Sequence, residues 1–265
     1  MKKIHFLYAL PVVFAPVAAF SCSSTTPKAT DYLNKKDEQG NYVNIIDLND
    51  ETHTFTLDLS KEKITQIPAK MFLDNKNKEY TKKIKVDGAE KEVKYTLNKI
   101  IFPETLESIG NYAFTGVSVS GYITELDFSK ATKLVSIGEN AFEGNEIKKL
   151  SLPASLKNIQ ANAFANNSIE ELTIPENSSL ETISIGAFNK NKLTTLNLAN
   201  SSLKTISRAA FKDNEISSIT LAQNSQLAFV GDEAFAKNKL SADAQKVLEK
   251  ESIKLGNNVF AEQKQ

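Results

Sequence analysis

The chain has 265 residues, with 32 Lys and Arg balanced by 32 Asp and Glu, two His, one Cys and no Trp. A formal charge of zero excludes the basic footprint of a nucleic-acid binder, and one cysteine excludes a disulfide framework. The second histidine, His5, falls in an apolar leader, which leaves His53 alone and too few ligands for a histidine-based metal centre.

In chain order, residues 1–21 read as a secretion signal. Lys2 and Lys3 make a basic start, and Ile4 to Phe20 is nearly uncharged but broken by Pro11 and Pro16, which disfavours a permanent membrane helix. Cys22 follows Ser21, where a bacterial lipoprotein signal places its acylated residue, so this segment resembles a lipobox, with Ala19 and Phe20 as departures from the usual letters. Residues 22–31, with the polar run Ser23 to Thr30, then form a flexible tether to a lipid anchor. Loss of residues 1–21 removes Lys2 and Lys3 and leaves a net charge of about −2.

Residues 32–59 read as N-terminal cap strands, Tyr42 to Leu48 and Thr54 to Leu59 flanking Asn49-Asp50-Glu51. From residue 54 to residue 265 a single repeat governs the chain. Ala-Phe pairs end at Phe114, Phe142, Phe164, Phe188, Phe211 and Phe235, spaced 28, 22, 24, 23 and 24 residues apart, and a period of this size signals a solenoid. Eight residues before each Phe stands Leu106, Leu134, Leu156, Leu180, Leu203 or Leu227, and five before it Ile109, Ile137, Ile159, Ile183, Ile206 or Val230. These offsets predict a tightly wound connector with one inward face. Weaker copies around Phe72 and Phe260 bring the total to eight coils with atypical ends.

Short alternating segments such as Leu150-Ser151-Leu152 and Leu196-Asn197-Leu198 predict one strand per coil, and Pro103, Pro153 and Pro175 close three of them. Stacked in parallel, the strands form one continuous concave sheet. Its outward positions are Thr56 and Asp58, Lys99 and Ile101, Glu125 and Asp127, Lys149 and Ser151, Glu171 and Thr173, Thr195 and Asn197, and Ser218 and Thr220. Those from Lys99 to Asn197 are the candidate protein-binding residues. Asn75, Asn145, Asn167, Asn191, Asn214 and Asn238 recur three residues after Phe, where buried amides would bond the backbone of neighbouring coils. Gly110, Gly138 and Gly186 are read as turn residues at one repeat position.

Two segments break the period. Residues 76–98 enlarge one coil and carry Asp87-Gly88 between alternating stretches, a hairpin signal. Near 241–251 a short helix capped by Ser241 would cover the end of the stack.

The segment Leu150 to Phe164, LSLPASLKNIQANAF, resembles the unit of BspA-like bacterial leucine-rich repeats, as do Ile109-Gly110, Ile137-Gly138 and the Ala-Phe pairs, although Asn replaces the Cys common in that family. The resemblance implies a leucine-rich-repeat solenoid, a right-handed superhelix with parallel strands on the concave face and turns with short 3-10 or α segments on the convex face. It further implies a non-enzymatic surface protein that binds proteins, such as host or extracellular-matrix components, without cofactor, metal, nucleic acid or small-molecule substrate. The expected location is the outer face of a bacterial membrane, held by Cys22. A structural envelope lipoprotein is the alternative, and a hydrolase using Glu125 and Asp127 a weaker one, since two carboxylates suffice for glycoside cleavage.

Overall fold

The computed structural model describes residues 28–73, 79–86, 89–116, 122–199 and 202–264. The leader, Cys22, Asn75 and Asp87-Gly88 lie outside the described residues. After helix α1 (Ala29–Leu33) and strand β1 (Ile45–Asn49), the chain winds into a parallel β-solenoid with little helix.

Each coil contributes a strand to two different faces. The first ribbon comprises β2 (Thr54–Asp58), β5 (Ala89–Ile101), β7 (Glu125–Asp127), β9 (Lys149–Ser151), β11 (Glu171–Thr173), β13 (Thr195–Leu198) and β15 (Ser218–Leu221). The second is a ladder of two-residue strands, β3 (Gln66–Ile67), β6 (Ser108–Ile109), β8 (Ser136–Ile137), β10 (Asn158–Ile159), β12 (Thr182–Ile183), β14 (Thr205–Ile206), β16 (Phe229–Val230) and β17 (Lys254–Leu255). The ladder runs unbroken in parallel register, Ile109 opposite Ile137 opposite Ile159 and onward. The tight winding expected on this side takes the form of these strand pairs plus single turns such as Ala141 N–H to Gly138 C=O at 3.3 Å.

The core is columnar because the repeat places the same side chain at the same height in every coil. Rings of Phe72, Phe114, Phe142, Phe164, Phe188, Phe211 and Phe235 stack at centroid spacings of 4.8, 5.3, 5.4, 5.5, 5.3 and 5.4 Å, and Phe260 ends the column at 6.4 Å. A shorter stack of Phe102 on Phe128, 4.6 Å apart, meets Phe114 and Phe142 edge-on. The Ala-Phe pair has a backbone role as well. Phe N–H of one coil donates to the C=O of the next coil's Ala, as in Phe142 to Ala163 and Phe188 to Ala210, both 2.8 Å. Each Ala of the pair is fully buried.

Two left-handed columns carry the chain around the Phe. Tyr112, Asn140, Asn162, Gly186, Ala209, Glu233 and Asn258 all have φ between 54° and 61°, two residues before their Phe. Gly144, Asn166, Lys190, Asp213, Lys237 and Glu262, two residues after it, are left-handed too, with φ between 53° and 70°. Gly186 therefore belongs to a different position from Gly110 and Gly138, which correct the common assignment in another way too. They are not left-handed; they permit close stacking, since a Cβ on Gly110 would sit 2.5 Å from the Ala69 backbone N and one on Gly138 2.7 Å from the Asn111 backbone N.

The first ribbon is not the single sheet expected. Strand pairing joins β2, β5 and β7, then β9 to β11, then β13 to β15, but neither β7 to β9 nor β11 to β13. Corner length explains the breaks. From the strand to the buried Leu, Glu125 to Leu134 spans nine residues and Lys149 to Leu156 seven; Glu171 to Leu180 spans nine and Thr195 to Leu203 eight. Both breaks fall where a coil is followed by one with a shorter corner. The second ladder stays in register throughout, so the mismatch is absorbed in the first ribbon.

At the N-terminal end β1 pairs antiparallel with β2, and β4 (Glu79–Val86) pairs antiparallel with β5, Glu79 opposite Thr96 through Val86 opposite Ala89. Tyr95 is buried and its hydroxyl donates to Asp50, tying this hairpin to the turn after β1. At the other end α2 (Ala242–Gln245) starts at Ser241, whose hydroxyl accepts from Ala244 N–H at 3.2 Å; the chain then continues in turns, so the helix is shorter than the span 241–251.

Candidate protein-binding face

Alternation along each ribbon strand sends Leu126, Leu150, Leu196 and Ile219 into the core and leaves the flanking residues outside. Glu125, Lys149, Ser151, Glu171, Thr173, Thr195, Asn197, Ser218 and Thr220 are exposed, while Lys99, Ile101, Asp58 and Asp127 are half-buried. Thr56 keeps the outward register, opposite Lys99, but is buried, and a bulge interrupts the β2–β5 register between Phe55 and Thr56.

The charged members of this face pair across coils. Lys99 Nζ lies 3.0 Å from Glu125 and Lys149 Nζ 2.7 Å from Glu171. Hydrogen bonding to these carboxylates raises both ammonium pKa values above the ordinary lysine range. Burial alone would raise the Asp127 carboxyl, but bonds from the Ser129 side chain and N–H, with Lys99 and Lys130 nearby, hold it below the ordinary carboxylate range. Asp127 is thus kept ionised and Glu125 engaged by Lys99. Asp127 therefore does not offer the elevated proton donor that glycoside cleavage demands.

The break between β7 and β9 shapes the surface. A groove of about 650 Å³ opens where the long corner Phe128, Ser129 and Thr132 stands beside the short corner Leu152 to Ser155. Leu126, Phe128, Leu152 and Pro153 make its apolar wall, and Lys99, Glu125, Asp127 and Ser151 its polar margin. A second hollow on the same seam involves Thr124, Glu146, Lys148 and Lys149. Sequence reading missed both, because corner mismatch becomes a groove only when two coils are laid side by side.

The asparagines lie behind this face. Asn191 Oδ1 accepts from Ile169 N–H at 3.0 Å, and its Nδ2 donates to Phe164 C=O at 2.9 Å and Phe188 C=O at 3.2 Å. Asn145, Asn167, Asn214 and Asn238 repeat the pattern and are all buried. Gln263 takes the position after Phe260, accepting from Leu240 N–H at 2.8 Å and donating to Phe235 C=O at 2.9 Å. A changed letter hid it; the constant offset from Phe was the available signal. Among the described residues, no group of three His, Cys, Asp or Glu comes together, and no helix is long and apolar enough to cross a membrane.

Among solved structures, the chain is similar to the pneumococcal vaccine antigen PcpA, at 17% identity and a TM-score of 0.47, covering 80% of this chain and 64% of that one. A leucine-rich repeat protein from Bacteroides ovatus matches at 20% identity and a TM-score of 0.45, covering 82% and 61%. The chain therefore spans less than two thirds of either. A leucine rich cell surface protein from Faecalibacterium prausnitzii matches at 14% identity and a TM-score of 0.16, covering 80% and 92%. No curated protein matches the sequence. The family described as BspA type leucine rich repeat region matches in six copies over residues 50–116, 91–214 and 135–265. With its Phe column, two-face coils and repeat match spanning residues 50 to 265, the chain belongs to the BspA-type leucine-rich repeat family.

Proposed function

We propose that this protein is displayed on the outer face of a bacterial membrane through acylated Cys22 and binds other proteins, host or extracellular-matrix components, through the first ribbon. The observation that carries this reading is the β7/β9 groove, with an apolar wall and a charged margin set in a rigid stack. Its geometry suits an apolar side chain of a partner flanked by polar contacts, the usual anatomy of a protein interface. The Lys99–Glu125 pair at the margin and the Lys149–Glu171 pair farther along the ribbon give the face a defined charge pattern, which governs partner choice more than affinity. Many copies on one cell raise the effective strength of a modest contact.

The test is binding of the protein to a panel of fibronectin, fibrinogen, collagen and laminin, with Glu125→Lys, Lys149→Glu and a groove-filling Ser155→Trp as variants. At least one of the panel binds, and each variant weakens that binding about tenfold, equivalent to 1.4 kcal/mol. Binding unchanged in all three variants overturns the ribbon mode, and crosslinking that captures only the cell's own envelope proteins overturns the adhesive role in favour of a scaffold. Cys22→Ser shifts the protein from the membrane fraction to the medium; unchanged membrane association refutes the anchor.

A further inference from the structure

The repeat is regular except at two places, the hairpin coil between Phe72 and Phe114 and the 28-residue coil between Phe114 and Phe142. In solenoids such extra residues gather on one face, often the face that binds. Residues from both places line a further groove of about 550 Å³, at the N-terminal ends of the first ribbon strands, which shares Thr124 and Glu146 with the hollow beside Lys149. β5 supplies Lys94, Thr96 and Asn98, the end of the longer coil supplies Tyr122 and Thr124, and His53 and Glu146 close the sides.

The lining selects its ligand. Thr54 pairs in register with Thr96, and Thr124 N–H donates to Asn98 C=O, so successive coils set hydroxyl and amide groups side by side at the spacing of parallel strands, about 4.8 Å. Neither the Asn98 amide nor the Glu146 carboxylate has a hydrogen-bond or ionic partner among the described residues, and both are free to serve a ligand. Tyr122 is among the few large apolar side chains left exposed, at 36%, and it is the aromatic surface of the groove. Lys94 is engaged by Glu79 at 3.1 Å, so the groove offers no free cluster of one charge to attract a polyanion. It also lacks the several apolar anchors that a protein side chain would need.

We infer that this groove is a binding site for a neutral oligosaccharide, one ring lying on Tyr122 and its hydroxyls bonded by Asn98, Thr96 and Glu146. A polyhydroxylated, uncharged and partly flat ligand is the class that satisfies all of these groups together. The site shares no lining residue with the β7/β9 groove, so the protein would hold two kinds of surface ligand.

The test is titration calorimetry of the full chain in detergent against neutral gluco-, galacto-, manno- and N-acetylglucosamine oligosaccharides, with saturation-transfer NMR as a second readout. At least one series binds. Tyr122→Ala and Asn98→Ala each weaken it tenfold or more, and Tyr122→Phe retains most of the affinity, which separates ring stacking from misfolding. Ser155→Trp, which fills the β7/β9 groove and lies on neither this groove nor the hollow beside it, leaves sugar binding unchanged. Absence of binding by every series, binding only by sulfated oligosaccharides, or binding indifferent to Tyr122→Ala overturns the inference, whatever the outcome for protein partners.

Discussion

Replacement of Asn191 by Ala isolates what the buried amide column contributes. The side chain makes three bonds of 3.2 Å or less and a longer one of 3.4 Å to Asn189 C=O, which also accepts from Asn166 N–H at 2.9 Å, and the partners fare differently when it is removed. Phe164 C=O keeps the Asn167 amide at 3.2 Å and Phe188 C=O keeps the Asn214 amide at 2.9 Å. Ile169 N–H, by contrast, has only the Asn191 oxygen at 3.0 Å, and Ile169 is fully buried. One orphaned buried donor costs about 1–3 kcal/mol and each of the two short second bonds lost to a Phe carbonyl about 0.5–1 kcal/mol, so the variant loses about 2–5 kcal/mol. With a urea m-value of about 2 kcal/mol/M the midpoint falls by about 1–2.5 M. Hydrogen exchange gives the local readout, because the Ile169 amide loses protection before those of distant coils. Asn191→Asp sharpens the test. Its carboxylate still accepts from Ile169 N–H but opposes two carbonyls in a buried site, so its folded pKa is raised. Stability is then greatest at low pH, where the acid is protonated and donates, and falls as pH rises through the raised pKa. An Ala variant with an unchanged midpoint and unchanged Ile169 protection refutes the argument.

Phe188→Ala removes a ring stacked at 5.5 and 5.3 Å on both neighbours and lowers stability by about 3–5 kcal/mol in thermal or urea unfolding; a loss below 1 kcal/mol means the column is not the core. Gly231→Ala puts a Cβ 2.5 Å from the Arg208 backbone N and 2.8 Å from the Ser207 carbonyl carbon, so it destabilises by about 1–3 kcal/mol despite its small size; a neutral result in differential scanning calorimetry contradicts the close-stacking role. The Asp50–Tyr95 bond couples the hairpin to pH. Hydrogen bonding to Tyr95 lowers the Asp50 pKa, giving stability that is present above the ordinary carboxylate value and lost as pH falls through the lowered one. The same bond raises the Tyr95 pKa, giving stability lost as pH rises above the phenol range. Limited proteolysis of the hairpin is therefore slowest between about pH 4 and 10, and Asp50→Asn removes the acid-side change; an acid limb that persists in Asp50→Asn assigns it elsewhere.

The Phe column, the inward Leu and Ile columns and the alternating strands were readable from letters alone, because each depends on a side chain whose position is fixed by its distance from Phe. The same constancy of offset identifies the asparagine positions, and it fails at Gln263 only because the residue type changes at the last coil. The glycines show the opposite case. Gly110 stands four residues before its Phe and Gly186 two, an offset the letters already carry, but that one serves a close approach between coils and the other a left-handed turn is decided by φ and the neighbouring backbone.

Sequence by itself determined that the coils repeat, that a lone coil buries too little to stand, and that they must therefore stack along one axis. Tertiary structure decided what lies between neighbours. The breaks in the first ribbon, the groove beside β7 and β9, and the convergence of Asn98 and Tyr122 all arise from differences between adjacent coils. Such differences have no local signature, because a corner two residues shorter is unremarkable until the chain is wound against the longer corner before it.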